Sequence, residues 1–417
     1  MSNRRNAVYL LLITSLVIGL ITGRSFFFNL AAIFSGLLFV TFWWSWYSVR
    51  WIRIERKTRA RRAQVGRTVL EHFAIHNRTL IPKLWLEIRD HSTLPGHKAS
   101  HVVPYLTAKR RYQWNTETMC LLRGEYKLGP LTIISGDPFG LFVVSRKLEA
   151  VSHILVYPQT VPITRIDLPI GILSGGDARR QRTFHVTTNA VGIRDYAPGD
   201  SFNRIHWPSS ARKDQLLVKE FELDPLVDIW LFPDFSLTSL AESVELNRDE
   251  VTGNIIPTNK EIPPSTEEYI VAIAASMAKC FIDSERSLGY SAYSPHREFM
   301  QPERGSRQLS RILQSLAMAH NTSNYSLSQM LSLEAHYFSR GTTLVIITAS
   351  IDEAWITELQ LLLRRGIRSM CVLVDPSSFV AGSSMERVSG LLRIARIPTI
   401  IIRQDDNLAS VLQGQVI

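Results

Sequence analysis

Cysteine is scarce: Cys120, Cys280 and Cys371 are the only three in 417 residues, and no CxxC pair occurs. An odd count without paired spacing argues against a disulfide framework and against the common zinc-site patterns. Each thiol sits among apolar residues, so buried, reduced cysteines are expected. Phosphate-binding glycine loops are missing too. Neither GxGxxG nor GxxxxGK[ST] is present, which leaves nucleotide binding without sequence support. Histidines 72, 76, 91, 97 and 101 lack metal-ligand spacing and read as solvated loop or strand residues. Beyond residue 67 the chain also lacks net charge. Residues 1–67 hold eleven Lys or Arg and one acid, Glu55, which accounts for the entire +10. A neutral body excludes a phosphate-backbone surface, so no nucleic-acid partner is expected. The basicity belongs where a membrane explains it.

What is present begins with two uncharged runs, Ala7 to Thr22 and Phe26 to Tyr47, separated by Gly23-Arg24-Ser25. As a helix the second would be about 33 Å long, enough to cross a ~30 Å hydrocarbon core. The first, at about 24 Å, needs some help from its flanks. Trp43, Trp44, Trp46, Tyr47 and Trp51 gather where an interfacial aromatic belt belongs. Arg4 and Arg5 precede the first run, and a basic stretch follows the second. Positive-inside logic puts both ends in the cytoplasm. No small-x-small cleavage site stands near Thr22, so a retained hairpin is expected rather than a signal peptide. A two-pass inner-membrane protein with cytoplasmic soluble domains follows.

From about residue 67 to 159 the pattern is short, alternating and broken by turns, as in "KLWLEIRD" (83–90) and "ETMCLLRGEYKLGPLTII" (117–134). That spacing predicts an antiparallel, sandwich-like domain. The stretch 192–222, "GIRDYAPGDSFNRIHWPSSARKDQLLVKEFE", balances five basic against five acidic residues around one tryptophan, Trp207. Interleaved charge of this kind reads as a self-satisfying ionic network. Tyr196-Ala197-Pro198-Gly199-Asp200 has turn chemistry, and Asp200 is placed to cap a helical turn through Arg204 and His206 that Pro208 ends. His206 with Ser209 or Ser210 is a candidate nucleophile–base pair, although no oxyanion-hole loop accompanies it.

This stretch resembles the signature of the DUF58 family of bacterial membrane-associated proteins. "RGEYKLGP" (123–130), "DPFGLF" (137–142) and "VYP" (156–158) stand in the order that family shows. The resemblance marks Arg194, Tyr196, Pro198, Gly199, Asp200, Arg204, His206, Trp207, Ser210, Arg212 and Glu220 as signature or interaction residues. It also implies a protein partner, with MoxR-type AAA+ ATPases as one possibility because genes for the two often lie side by side. No enzymatic activity comes with it.

The C-terminal half alternates apolar runs at 227–236, 342–350, 368–376 and 398–406 with helical patterns. Buried parallel strands with crossover helices, a doubly wound α/β domain, are predicted. Asp234-Phe235-Ser236-Leu237-Thr238 closes the first run and resembles the DxSxS loop of von Willebrand factor A domains. In that fold the loop helps hold Mg²⁺, a cation that wants hard oxygen ligands in an octahedron. Asp234, Ser236 and Thr238 are therefore candidate metal ligands. The second acid is missing at Thr348-Ala349-Ser350, Asp352 comes late, and the remaining hydroxyl is sought near 303–308, which offers Ser306.

The expected architecture is multidomain: a transmembrane hairpin (1–50), a basic juxtamembrane segment (51–66), a β-sandwich-like domain (67–190), the signature (191–222), and a vWA-like α/β domain (223–417) with a polar insertion at 239–266. The expected function is a membrane-anchored, non-enzymatic scaffold or adaptor, with no cofactor established and Mg²⁺ the one candidate. The alternative is a membrane-bound hydrolase using His206 with Ser209 or Ser210.

Overall fold

A computed structural model describes residues 2–164, 166, 190–197, 205–221, 228–243, 246, 262–382 and 384–414. The chain divides into two compact units, one carrying residues 1–159 and the other most of the remainder.

The first unit opens with helices α1 (Ser2–Thr22) and α2 (Ser25–Ser48), which pack side by side. Both are long and apolar enough to cross a membrane, and only 11% of each apolar window is buried within the protein. Large side chains such as Ile21 and Phe39 face outward, at 78% and 70% exposure. A soluble helix bundle would bury these residues, so their outward placement is consistent with membrane-spanning helices.

A strand-rich body follows: β1 (Ile52–Thr58), β2 (Arg62–Gln64), β3 (Thr68–Asn77), β4 (Lys83–Asp90), β5 (His101–Leu106), β6 (Arg111–Met119), β7 (Gly124–Leu128), β8 (Leu131–Gly136), β9 (Val143–Leu148) and β10 (Ser152–Tyr157). Two antiparallel sheets, β1-β3-β6 and β5-β4-β8-β9, share one core built from Phe73, Ile75, Leu86, Ile88, Val103, Leu131 and Ile133. A third sheet, β2-β10-β7, is mixed, with β2 parallel to β10. The basic stretch 51–66 is therefore not a separate juxtamembrane segment. β1 pairs with β3 along its whole length, and β2 adds to β10. The charged Arg53 and Glu55 alternate with Ile52 and Ile54, which is strand periodicity hidden under a charge run.

His97 also departs from its expected solvated state. Its side chain is 2% exposed, and its Nε2 lies 2.8 Å from Asp90. Asp90 and Glu71 flank Arg56, which donates to both Glu71 oxygens at 2.8 and 2.9 Å. The hydroxyls of Thr58 and Ser92 donate to Glu71 and Asp90. Burial alone would raise the Asp90 carboxyl. The hydrogen bond from His97, the charge of Arg56 and the Ser92 hydroxyl outweigh it and hold the group below the usual carboxylate range.

The second unit carries a two-stranded ribbon, β11 (Ala190–Asp195) with β12 (Leu217–Phe221), and between them the helix α3 (Trp207–Lys213). Its main body follows in the order β13 (Ile229–Pro233), α4 (Thr266–Asp283), β14 (Leu288–Ser294), β15 (His296–Glu303), α5 (Ser306–Met318), α6 (Leu327–Glu334), β16 (Thr343–Thr348), α7 (Ala354–Arg364), β17 (Arg368–Val374), α8 (Glu386–Ile394), β18 (Thr399–Ile402) and α9 (Leu408–Gln413). The six strands form one sheet, ordered β15-β14-β13-β16-β17-β18. All neighbours are parallel except the edge strand β15, which runs against β14. Trp230, Phe232, Leu344, Ile346, Cys371 and Leu373 pack with α6, α7 and α8. The alternate residues of the same strands are buried as well, and α4 meets β13, β14, β16 and β17. A sheet buried on both faces explains why its central strands read as unbroken apolar runs. The three cysteines are buried and free.

Candidate functional site

Strand order reverses between β13 and β16, because the chain leaves β13 toward β14 on one side and returns at β16 on the other. Open α/β sheets bind ligands in the crevice at the carboxyl ends of such strands. Asp234 follows β13 and Thr348 ends β16, so both stand at that reversal. Thr348 Oγ1 donates to Asp234 Oδ2 at 2.6 Å, and Ser236 N–H donates to Oδ1 at 2.9 Å. Asp234 has no exposed surface. Burial raises its carboxyl above the usual range, and the hydrogen bonds from Thr348 and Ser236 offset part of that rise.

The metal candidates come together: the Ser236 and Thr238 hydroxyls are 3.0 Å apart. The loop that meets theirs is 320–323, not 303–308. Ser323 N–H donates to the Phe235 carbonyl, Leu237 N–H donates to the Ser323 carbonyl, and Asn321 Nδ2 donates to the Ser236 carbonyl. Ser306 instead begins α5. Asp352 accepts from Ala354 N–H, the first residue of α7, so it serves that helix terminus. The residues present do not fit Mg²⁺. One carboxylate is available, both of its oxygens are engaged by protein donors, and Thr348 stands where a second acid was sought. Among the described residues no group of three His, Cys, Asp or Glu is placed to hold a metal.

Beside this loop lies an open pocket of about 640 Å³ that sequence reasoning missed. Tyr293, Arg297, Ser323, Tyr325, Glu334 and Tyr337 are among its lining residues. Glu334 is buried and accepts from Arg297 Nε and Nη2 at 2.6 and 2.9 Å and from Tyr293 O–H at 2.6 Å. The bond to Glu334 raises Arg297, while burial and Glu334 push the Tyr293 phenol up to about 12. The pocket's charges are thus neutralised internally, and its rim offers aromatic faces: Tyr325 is 51% and Tyr337 43% exposed. These residues come from three separate segments, none of which carries a motif.

In the signature, His206 is the N-cap of α3. Its Nδ1 accepts from Ser209 N–H at 3.3 Å and lies 2.7 Å from Ser209 Oγ. Ser210 Oγ donates to the His206 carbonyl and accepts from Leu217 N–H at 2.9 Å, tying α3 to β12. Pro208 does not stop a helix here. It sits in the first turn of one, where its missing N–H costs nothing. Asp214 closes α3 in the left-handed conformation. Trp207 is 64% exposed, so it is not the enclosed centre of an ionic network. Arg212 is exposed in the last turn of α3. Tyr196 N–H donates to the Leu216 carbonyl, and Arg194 and Glu220 lie on the paired strands β11 and β12. Pro198, Gly199, Asp200 and Arg204 lie outside the described residues, as does most of the insertion at 239–266.

Comparison with known proteins places the signature. The family described as "Protein of unknown function DUF58" matches residues 192–258. Over 217 residues the chain is 24% identical to "Uncharacterized protein YeaD" of Bacillus subtilis (strain 168), covering 51% of this chain and 47% of that protein. The chain thus spans about half the length of the curated relative it matches. Among solved structures, the CARDB domain of the PF1109 protein from Pyrococcus furiosus aligns with 25% of this chain and 91% of its own, at 14% identity and a TM-score of 0.19. The sporulation control protein Spo0M from Bacillus subtilis aligns with 26% of this chain and 50% of its own, at 8% identity and a TM-score of 0.17. Likeness at that level carries no argument about fold or function.

Proposed function

We propose that this protein is a membrane-anchored, non-enzymatic adaptor whose α/β domain binds a protein partner at the carboxyl edge of its sheet. The observation that carries this reading is the pocket rimmed by Tyr325 and Tyr337, which shares Ser323 with the loop contacting Phe235 and Leu237. Exposed tyrosines around an internally neutralised ion pair suit a polypeptide surface, because tyrosine brings large contact area at low entropy cost. The DxSxT loop supports a vWA-like reading of the domain. In that reading Asp234, Ser236 and Thr238 shape the partner-binding edge rather than hold a metal. The hairpin anchors the body at the inner membrane, with the soluble units in the cytoplasm, and the DUF58 resemblance makes a MoxR-type AAA+ ATPase the first partner to test.

The experiment is capture of the purified ATPase by the full-length chain in detergent, compared with a Tyr325→Ala, Tyr337→Ala double variant. Retention that drops at least about tenfold, the equivalent of 1.4 kcal/mol, supports the reading. Equal retention by both proteins, or none by either, removes it.

A second reading, a hydrolase, draws on the 2.7 Å approach of Ser209 Oγ to His206 Nδ1. That nitrogen already serves the helix terminus, which favours a structural role. Labelling of Ser209 by a fluorophosphonate would revive the hydrolase.

A further inference from the structure

The DPFGLF element, residues 137–142, joins β8 to β9. Asp137 organises it from within. Its carboxylate accepts from Phe139 N–H at 2.9 Å and from Phe142 N–H at 2.5 Å, and its carbonyl accepts from Gly140 N–H. Gly140 has a φ of +71°, which a side-chain-bearing residue seldom adopts. The loop therefore has one fixed shape. One end of it is fastened to α2: Ser45 Oγ donates to the Phe142 carbonyl at 3.1 Å, and the Phe42 and Phe142 rings meet edge-on at 5.6 Å. The start of α1 is close as well, with Arg5 over the Phe142 ring at 5.7 Å. At the other end Pro138 and Phe139 are exposed, Phe139 to 60%.

A single exposed phenylalanine is unremarkable on a soluble surface. What distinguishes Phe139 is its level along α2. That helix has 24 residues, about 36 Å, whereas the hydrocarbon core takes up ~30 Å. Phe42 and Ser45 lie within the last two turns, among Trp43, Trp44, Trp46 and Tyr47, at the boundary between acyl chains and headgroups. A loop bonded to those turns cannot stand clear of that boundary. We infer that the DPFGLF loop is a membrane-dipping element, with Pro138 and Phe139 inserted at the headgroup–acyl boundary beside α2 and with Arg4 and Arg5 next to lipid phosphates. The strand-rich body is then seated on the bilayer in one orientation rather than tethered below it. This rests on reading α1 and α2 as membrane spans.

The test places a spin label, in turn, at Phe139→Cys, at Phe39→Cys on the outer face of α2, and at Val102→Cys, 49% exposed on β5. The full chain is reconstituted in vesicles of phosphatidylethanolamine and phosphatidylglycerol. The unsubstituted chain, whose three thiols are buried, gives the background. Collision rates with oxygen and with a water-soluble nickel complex report depth. The expected result is an oxygen-to-nickel ratio at position 139 several-fold above that at 102 and approaching that at 39. A lipid-like ratio at 39 with a water-like ratio at 139 overturns the inference and leaves the anchor standing. Water-like ratios at both positions sink the membrane-span reading itself. A melting temperature close to that of the parent chain shows that the Phe139 variant is folded.

Discussion

Thr348 donates its hydroxyl to Asp234 at 2.6 Å, across the point where the order of the parallel strands reverses. The bond occupies a crevice edge that in related architectures receives ligands, and it gives a buried carboxylate a hydrogen bond without a cation. Removing the donor in Thr348→Val leaves one oxygen of a buried acid unsatisfied. A loss of about 1–3 kcal/mol is expected, read as a lower denaturation midpoint.

The same carboxyl fixes a pH dependence. Burial raises Asp234 above its ordinary value of 3.8. The folded protein therefore holds this proton more tightly than the unfolded chain, and the contribution is fully present below that ordinary value. It is lost as pH rises through the folded value. Relative to Asp234→Asn, the parent chain should lose stability as pH climbs above about 4. Adding magnesium at pH 7 should leave both melting temperatures unchanged. A rise confined to the parent would restore the metal site.

Lys83, 1% exposed, donates from Nζ to the Tyr47 carbonyl at 2.6 Å and sits 3.7 Å from the centre of the Tyr47 ring. A cation at a helix C-terminus and against an aromatic face is favourable, yet burial lowers this amine to about 8. In the unfolded chain it titrates near 10.5. Between those values the unfolded state binds the extra proton, so stability should rise with pH over that window. Lys83→Met should abolish the rise. Parallel stability curves for parent and variant from about pH 8 to 10.5 would contradict the assignment.

The Arg56 cluster predicts an asymmetry. Arg56 and Glu71 have side chains only 3% and 1% exposed. Truncating one partner, as in Arg56→Met, strands two buried carboxylates and should cost about 3–5 kcal/mol. Asp90 is held below its ordinary range, so its contribution is present above the unfolded value and disappears as pH falls through the folded one. Asp90→Asn should flatten the acid limb of the stability curve. Urea denaturation from about pH 5 down to about pH 2 is the measurement, because the difference develops below the ~3.9 of an unfolded aspartate.

What the sequence reveals depends on whether the signal is local. The hairpin and strands β13, β16, β17 and β18 show because unbroken apolar runs have few explanations. β14 does not show, since "LGYSAYS" is buried with glycine and serine in it. Gly289 is small because a Cβ there would come within 2.8 Å of Trp230. β1 and β2 were masked by the basic run, whose charge suggested a tail while its Ile52 and Ile54 alternation set the pairing. His97 gave no spacing signal, for its partners Glu71, Asp90 and Thr118 converge only through sheet pairing. The DxSxT loop was legible as three residues. The loop that meets it was not, because hydrogen bonds from 321 and 323 to 235 and 236 leave no trace in sequence.

Two adjacent residues of the signature, His206 and Trp207, give a test that separates a structural role from the proposed recognition role. His206 caps α3 through Ser209, so His206→Ala should cost about 0.5–2 kcal/mol of stability. Trp207, next in the chain, is 64% exposed. Exposed substitutions away from special backbone usually change stability by less than about 0.5 kcal/mol, so Trp207→Ala should melt like the parent chain. Single exposed apolar side chains are common, but tryptophan is among the residue types most enriched at the energetic centres of protein interfaces. Partner capture should therefore fall with Trp207→Ala and survive His206→Ala once the sample is held well below the melting temperature of that variant. Capture lost in His206→Ala but retained in Trp207→Ala would reverse the two roles and move recognition to the imidazole.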